Sequence, residues 1–259
     1  QGIYPVAYVP HNHHFLWATT TMEGRSADAL AAARQTARHV DHALMREPQM
    51  AMLQHFSAIP YYALVRFGMW DEILVEPAPD ADLLYPTAVW HYARGIAYTR
   101  AGMPEEAKGE LARVQAIASD PRLEEIRIWG LNPASSLAQI AAAVLRAEIA
   151  AARKQVKIAV SELRKAIAIE DGLIYGEPPD WFYPVRQNLG ATLLEAGRPK
   201  ASEKVYREDL ARFPDNGWSL FGLAQSLRAQ GKTREAEEVQ RRFETAWQHA
   251  DIEISASRF

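Results

Sequence analysis

The chain contains no cysteine, which excludes disulfides, thiolate metal sites and cysteine nucleophiles. That absence leaves the compartment open, because cytoplasm and periplasm both accommodate such chains. No apolar run approaches the ~18 residues of a membrane-spanning helix. An excess of charge of one sign is also missing. The 29 Lys and Arg against 32 Asp and Glu leave a net charge of −3, so no global field favours nucleic acid or an anionic membrane. The motifs GxGxxG, the P-loop, GxSxG and DxDxDG are absent, and Ser135, Ser136 and Ser255 lack a nucleophile context. No residue therefore stands out as catalytic. No signal peptide is visible, and Gln1 stands where an initiator Met would. We read the sequence as a processed form or as the C-terminal part of a longer chain.

What the sequence does hold is repetition. Between residues 181 and 216 two helical patterns flank Gly197-Arg198-Pro199. Val185, Leu189, Thr192 and Leu193 recur at helical spacing in the first, and Ala201, Val205 and Leu210 in the second. Gly190 and Ser202 sit where two helices would cross, and Pro214 stops the second. Anchoring on the turn glycine extends the pattern to Gly24, Gly68, Gly102, Gly197 and Gly231, with Lys154 in the same slot of a degenerate unit. Five residues after each anchor stand Ala29, Ile73, Ala107, Ala159, Ser202 and Ala236, mostly small.

The unit resembles the tetratricopeptide repeat (TPR), a 34-residue helix-turn-helix, of the bacterial type. Gly190, Gly197, Ser202 and Pro214 occupy its small, turn, small and proline positions. The resemblance implies an all-α fold, a right-handed α-solenoid of about six TPR-like helix-turn-helix units forming one domain over residues 1–259. The units are expected at about 10–44, 48–76, 87–119, 134–170, 183–216 and 217–248. Long insertions are expected near Glu76 to Leu84, Asp120 to Pro133 and Asp171 to Trp181. Pro60 should kink or break the helix around it. The polar face of residues 233–248 suits a C-terminal cap. After about Trp247 the chain is expected to fray. The first helix would show Phe15, Leu16 and Trp17, which points to upstream repeats, a covering segment or self-association through this face.

Three groups carry chemistry. His11 and His14 share a helix face, and counting back from the anchors places His55 on the next first helix, with His91 one unit further. Imidazoles so arranged suit a divalent transition metal such as zinc or copper. They equally suit a polar helix start with one packed imidazole, since no zinc signature is matched. A second group is Glu177-Pro-Pro-Asp180-Trp181, leading to Arg186. Here prolines hold two carboxylates beside aromatics, as in a ligand-recognition surface. The alternative is that Trp181 seals a junction between units while the charges are solvated. A third group lies on the inner positions of units two and three: Tyr62, Arg66 and Tyr92. Arg66 there could clamp a carboxylate or simply cap a helix end. The resemblance implies a scaffold that binds a peptide or protein partner in a concave groove. The competing reading is a metal-binding protein or metal-dependent enzyme centred on the histidines.

Overall fold

The computed structural model describes residues 4–259. Its organisation starts from the turns. Gly24, Gly68, Gly102, Lys154, Gly197 and Gly231 all have φ between 59° and 73°. In that left-handed region glycine meets no Cβ clash. The residue after each anchor donates its N–H to the carbonyl five residues earlier, as in Arg25 to Thr20 (3.0 Å), Gln155 to Ala150 (2.9 Å) and Lys232 to Leu227 (3.1 Å). This is the bond of a Schellman stop, which satisfies the helix's orphan carbonyls. The next helix begins two residues after every anchor.

Lys154 is the one non-glycine in this slot. Replacing it with glycine should remove a left-handed penalty of about 1 kcal/mol, partly offset by unfolded-state entropy. Lys154→Gly is therefore expected to raise the thermal midpoint by a few degrees (about 2 °C for a domain of this size). An unchanged or lower midpoint would show that the lysine is unstrained.

In chain order the helices are α1 (Val9–Met22), α2 (Ser26–Arg38), α3 (Leu53–Arg66), α4 (Trp70–Val75), α5 (Leu84–Arg100), α6 (Pro104–Ala118) and α7 (Arg122–Glu125). A short antiparallel pairing of β1 (Arg127–Ile128) with β2 (Asn132–Pro133) follows. The rest are α8 (Ala134–Ala152), α9 (Val156–Asp171), α10 (Val185–Glu195), α11 (Pro199–Arg212), α12 (Gly217–Arg228) and α13 (Thr233–Ala246). Helices α1/α2, α3/α4, α5/α6, α8/α9, α10/α11 and α12/α13 pack as pairs, and successive pairs stack. The protein is thus an all-α, repeat-like stack of helix pairs. Small residues set the close approaches. A Cβ on Gly95 would overlap Leu145, and one on Gly190 or Gly222 would overlap the ring of Tyr206 between them. Among the described residues, α8 alone is long and apolar enough to cross a membrane, but 72% of that window is buried within the stack.

Three local features bear on these expectations. Helix α2 stops at Arg38, because Asp41 accepts from the N–H groups of Ala43 (2.9 Å) and Leu44 (3.2 Å) and turns the chain there. Pro60 lies inside α3 without ending it. Its neighbours Ile59 and Tyr62 are fully buried, so packing outweighs the lost backbone bond. The first helix does not present Trp17, which is buried; Leu16 alone of the three is exposed.

The largest departure is at the end of the chain. Beyond α13 the backbone does not fray; it returns to the first pair and then enters the stack. Trp218 Nε1 donates to the Thr21 carbonyl (3.0 Å), and the Trp247 ring covers Gly24 and Gly217. Asp251 accepts from the backbone N–H groups of Ser26 (2.6 Å) and Ala27 (2.9 Å), capping α2. Ser257 is fully buried and donates to the Gln187 carbonyl (2.9 Å). Arg258 pairs with Glu148 (3.3 Å) and Glu195 (3.0 Å), and Arg100 donates to the Phe259 carbonyl (2.7 Å). Polar tail residues stay ordered because buried partners await them.

Candidate functional site

The first helices of pairs two to six converge on a filled centre. Tyr62 from α3 stacks on Phe182 at 4.3 Å between ring centroids and meets Trp181 at 5.5 Å; Tyr92 from α5 meets Trp181 at 5.6 Å. Tyr62 and Tyr92, expected on the inner wall, and Trp181, expected at a recognition surface or sealing a junction, are brought together. All three are buried, however, so they form core packing. Residues 180–184 are buried, and Trp181, Phe182 and Tyr183 supply the rings that occupy the space.

Arg66 points to the same centre and is buried. Its guanidinium lies 3.6 Å from the Trp218 ring centroid and 4.4 Å from that of Tyr183. It donates to Gln187 Oε1 (2.6 Å) and to the Ser257 carbonyl (3.3 Å). Burial lowers its pKa to about 9, so it remains charged at neutral pH. The carboxylate clamp expected of it is replaced by an intramolecular one, with amide oxygens as acceptors.

The four histidines do not converge on one point. His91 hydrogen-bonds Glu110 across 2.5 Å, away from the others. His55 Nδ1 lies 3.2 Å from the Tyr85 hydroxyl, itself 2.9 Å from that of Tyr62. His14 stacks on Trp17 and meets His55 edge to face, with ring centroids 5.2 Å apart. His11 packs on Phe15 and Trp129. Burial pushes His14 far below its ordinary pKa and takes His55 down to about 4, so both rings are neutral at pH 7. Among the described residues no three His, Cys, Asp or Glu side chains are placed to hold one metal ion. The expected set His11, His14, His55 and His91 is thus used for ring packing and hydrogen bonds.

The remaining expected residues, Glu177, Asp180 and Arg186, lie around a cavity of about 350 Å³. Helix α1 contributes Phe15, Ala18, Thr19 and Met22; the segment 170–186 forms one side; α11 supplies Asp209 and Arg212. The prolines separate the two loop carboxylates as their chemistry requires. Glu177 stays exposed and accepts from the Tyr175 hydroxyl. Asp180 turns inward and accepts from Asn132 Nδ2 (2.8 Å). Arg186 makes a bidentate pair with Asp171 (2.8 Å for both bonds), and Arg212 binds the same carboxylate.

Sequence reading missed the acids at the back of the cavity. Glu170 lies in the last turn of α9 and faces the cavity. Its oxygens are 3.2–3.3 Å from the Val185 N–H, and burial pushes its pKa up to about 8. Asp209 is fully buried, accepts from Ser219 Oγ (2.5 Å), and is likewise raised by burial. Its Oδ1 has no partner at hydrogen-bond geometry. Asp180 is raised to about 6, again by burial. A signal for Asp209 existed: with Val205, Tyr206 and Leu210 it falls on the buried stripe of α11, where an acid is out of place.

These shifts set a pH dependence. Glu170 holds its proton up to about pH 8 in the folded chain but only to the ordinary value near 4.3 when unfolded. The folded state binds more protons in that window, so stability must fall as pH rises through it. Above about pH 7.5 the buried histidines contribute little, because unfolded imidazoles, with an ordinary pKa near 6.5, have by then released most of their protons. Urea titrations should then show a loss of up to about 1.4 kcal/mol per pH unit. Glu170→Gln should flatten the slope. A slope that survives the substitution would remove Glu170 as its source.

No protein-family model matches the chain, and a search of curated proteins finds no match.

Proposed function

We propose that the chain is a TPR-type right-handed solenoid that binds a segment of a protein partner, with the cavity between α1, residues 170–186 and α11 as the point of engagement. One observation carries this reading. The centre of the stack is filled by the chain's own tail and by residues 181–183, whereas this cavity of about 350 Å³ stays open beside exposed polar groups and aromatic rings. A pocket of that size with apolar walls and a few fixed polar groups suits one anchoring side chain of a bound segment. The six turn anchors and their common stop geometry support the TPR reading, whose implied role is peptide binding.

The test is selection of peptides from a random display library on purified protein. Enriched peptides should bind the wild type and lose at least tenfold in affinity on Ala18→Trp, which places an indole in the cavity mouth. Failure to enrich any peptide, or binding indifferent to Ala18→Trp, would refute the assignment.

A further inference from the structure

Four acids around the cavity lack a basic partner: among the described residues Glu170, Glu177, Asp180 and Asp209 form no ion pair. The two arginines that line the same space are already held by Asp171, which is not itself part of the lining. Among the described residues the cavity therefore offers carboxyl groups and no unpaired cation. Asp209 sharpens the point. It has no solvent exposure, it lines the cavity, and beside the Ser219 bond its Oδ1 makes no bond of normal geometry, with Gln187 the polar side chain near it. A buried carboxylate oxygen left unsatisfied is costly unless a donor arrives. The walls between the acids are apolar and aromatic, with Phe15, Met22, Leu173, Trp181 and Phe213 among them.

We propose that this cavity binds an alkyl guanidinium or ammonium group, with the cation against Asp209 and Glu170 and its methylene stem along the Phe15, Met22 and Phe213 wall. The inference deepens the scaffold reading and rests on it only for the source of the cation, an arginine or lysine of a bound segment. Carboxylates supply the charge-assisted bonds that a guanidinium requires, and aromatic faces add cation–π attraction. A small anion would meet arginines already neutralised and acids that repel it. Glu170 is faced by Asp209 and Arg212 from α11, by Arg186 and the Val185 N–H from α10, and by Asp171 of its own helix. It is protonated at neutral pH, so a cation entering must displace that proton. Affinity should then rise with pH, by up to about tenfold per unit between 6.5 and 8.

The experiment is calorimetric titration of the whole chain with three probes: butylguanidinium, N-acetyl-arginine methylamide, and its neutral isostere N-acetyl-citrulline methylamide. Both guanidinium probes are expected to bind, the citrulline compound at least tenfold more weakly. Binding should release a proton, seen as a dependence on buffer ionisation enthalpy. Asp209→Asn should weaken both guanidinium probes at least tenfold. Should that variant misfold, Ala18→Trp and Asp180→Asn serve instead. Equal binding of arginine and citrulline probes, or no binding of either cation at pH 8, overturns the proposal. The two readings fail separately. Butylguanidinium bound while no library peptide binds would sustain the cation site and refute the scaffold. Peptides sensitive to Ala18→Trp but lacking basic residues would do the reverse.

Discussion

Removal of residues 251–259 should destabilise the fold by about 5 kcal/mol, more than any single substitution in the stack. The tail supplies Arg258 to Glu148, a carbonyl each to Arg66 and Arg100, and the Asp251 cap to α2. Glu148 is the costliest to leave exposed to this change. It is buried, and it accepts from Asn188 (2.8 Å) and Arg100 (2.7 Å) as well as pairing with Arg258. Burial alone would raise its pKa, yet Arg258 and Arg100 prevail and hold it below the usual range. Breaking a buried ion pair by deleting one partner costs about 3–5 kcal/mol, and a lost cap about 1 kcal/mol. The terms overlap, so they are not summed in full. Guanidinium denaturation of a chain ending at Ala250 measures the loss. A synthetic 251–259 peptide added in trans should recover part of it. A loss under about 1 kcal/mol would mean that the tail rests on the stack without supporting it.

Arg66→Ala comes second, at about 3–5 kcal/mol. The guanidinium fills the space between Trp218 and Tyr183 and donates to Gln187 and Ser257. Alanine would leave a cavity lined by two aromatic rings and strip two buried acceptors of their donor. Arg66→Met keeps most of the volume and loses only the polar bonds, so it should cost about half as much. Urea midpoints of the two variants separate packing from hydrogen bonding. Equal losses would place the whole effect in the donors.

The turns were legible because their chemistry is local. A residue forced to positive φ announces itself as glycine, and even Lys154 was recoverable from the small residue five positions on. Helix starts follow the turn anchors, as with Pro104 two residues after Gly102. Ends fixed by side chains do not, because the stop at Arg38 depends on Asp41 reaching two backbone N–H groups. The cavity shows the same divide. Asp180, Trp181 and Arg186 stand in or beside a conspicuous proline-rich run, and all three line the cavity. Glu170 and Asp209 come from different helices and gain their character only when packing closes around them. Nor could helical periodicity reveal that Arg66 is answered by Ser257, 191 residues away. Inner-wall positions carried over from a repeat family assume a hollow centre, and Tyr62 and Tyr92 lie instead beneath Trp181 and Phe182.

Stacked helix pairs ordinarily unzip from either end, since each touches only its neighbours. Here Asp251 holds the first turn of α2 across 225 residues, and Trp218 holds Thr21 across 197. Neither extremity is free to peel away alone, so unfolding should proceed as one cooperative event. During synthesis the earlier pairs can assemble as they emerge, but the ring of contacts must wait until residue 251 has left the ribosome. Such distant closure makes the last folding step slow.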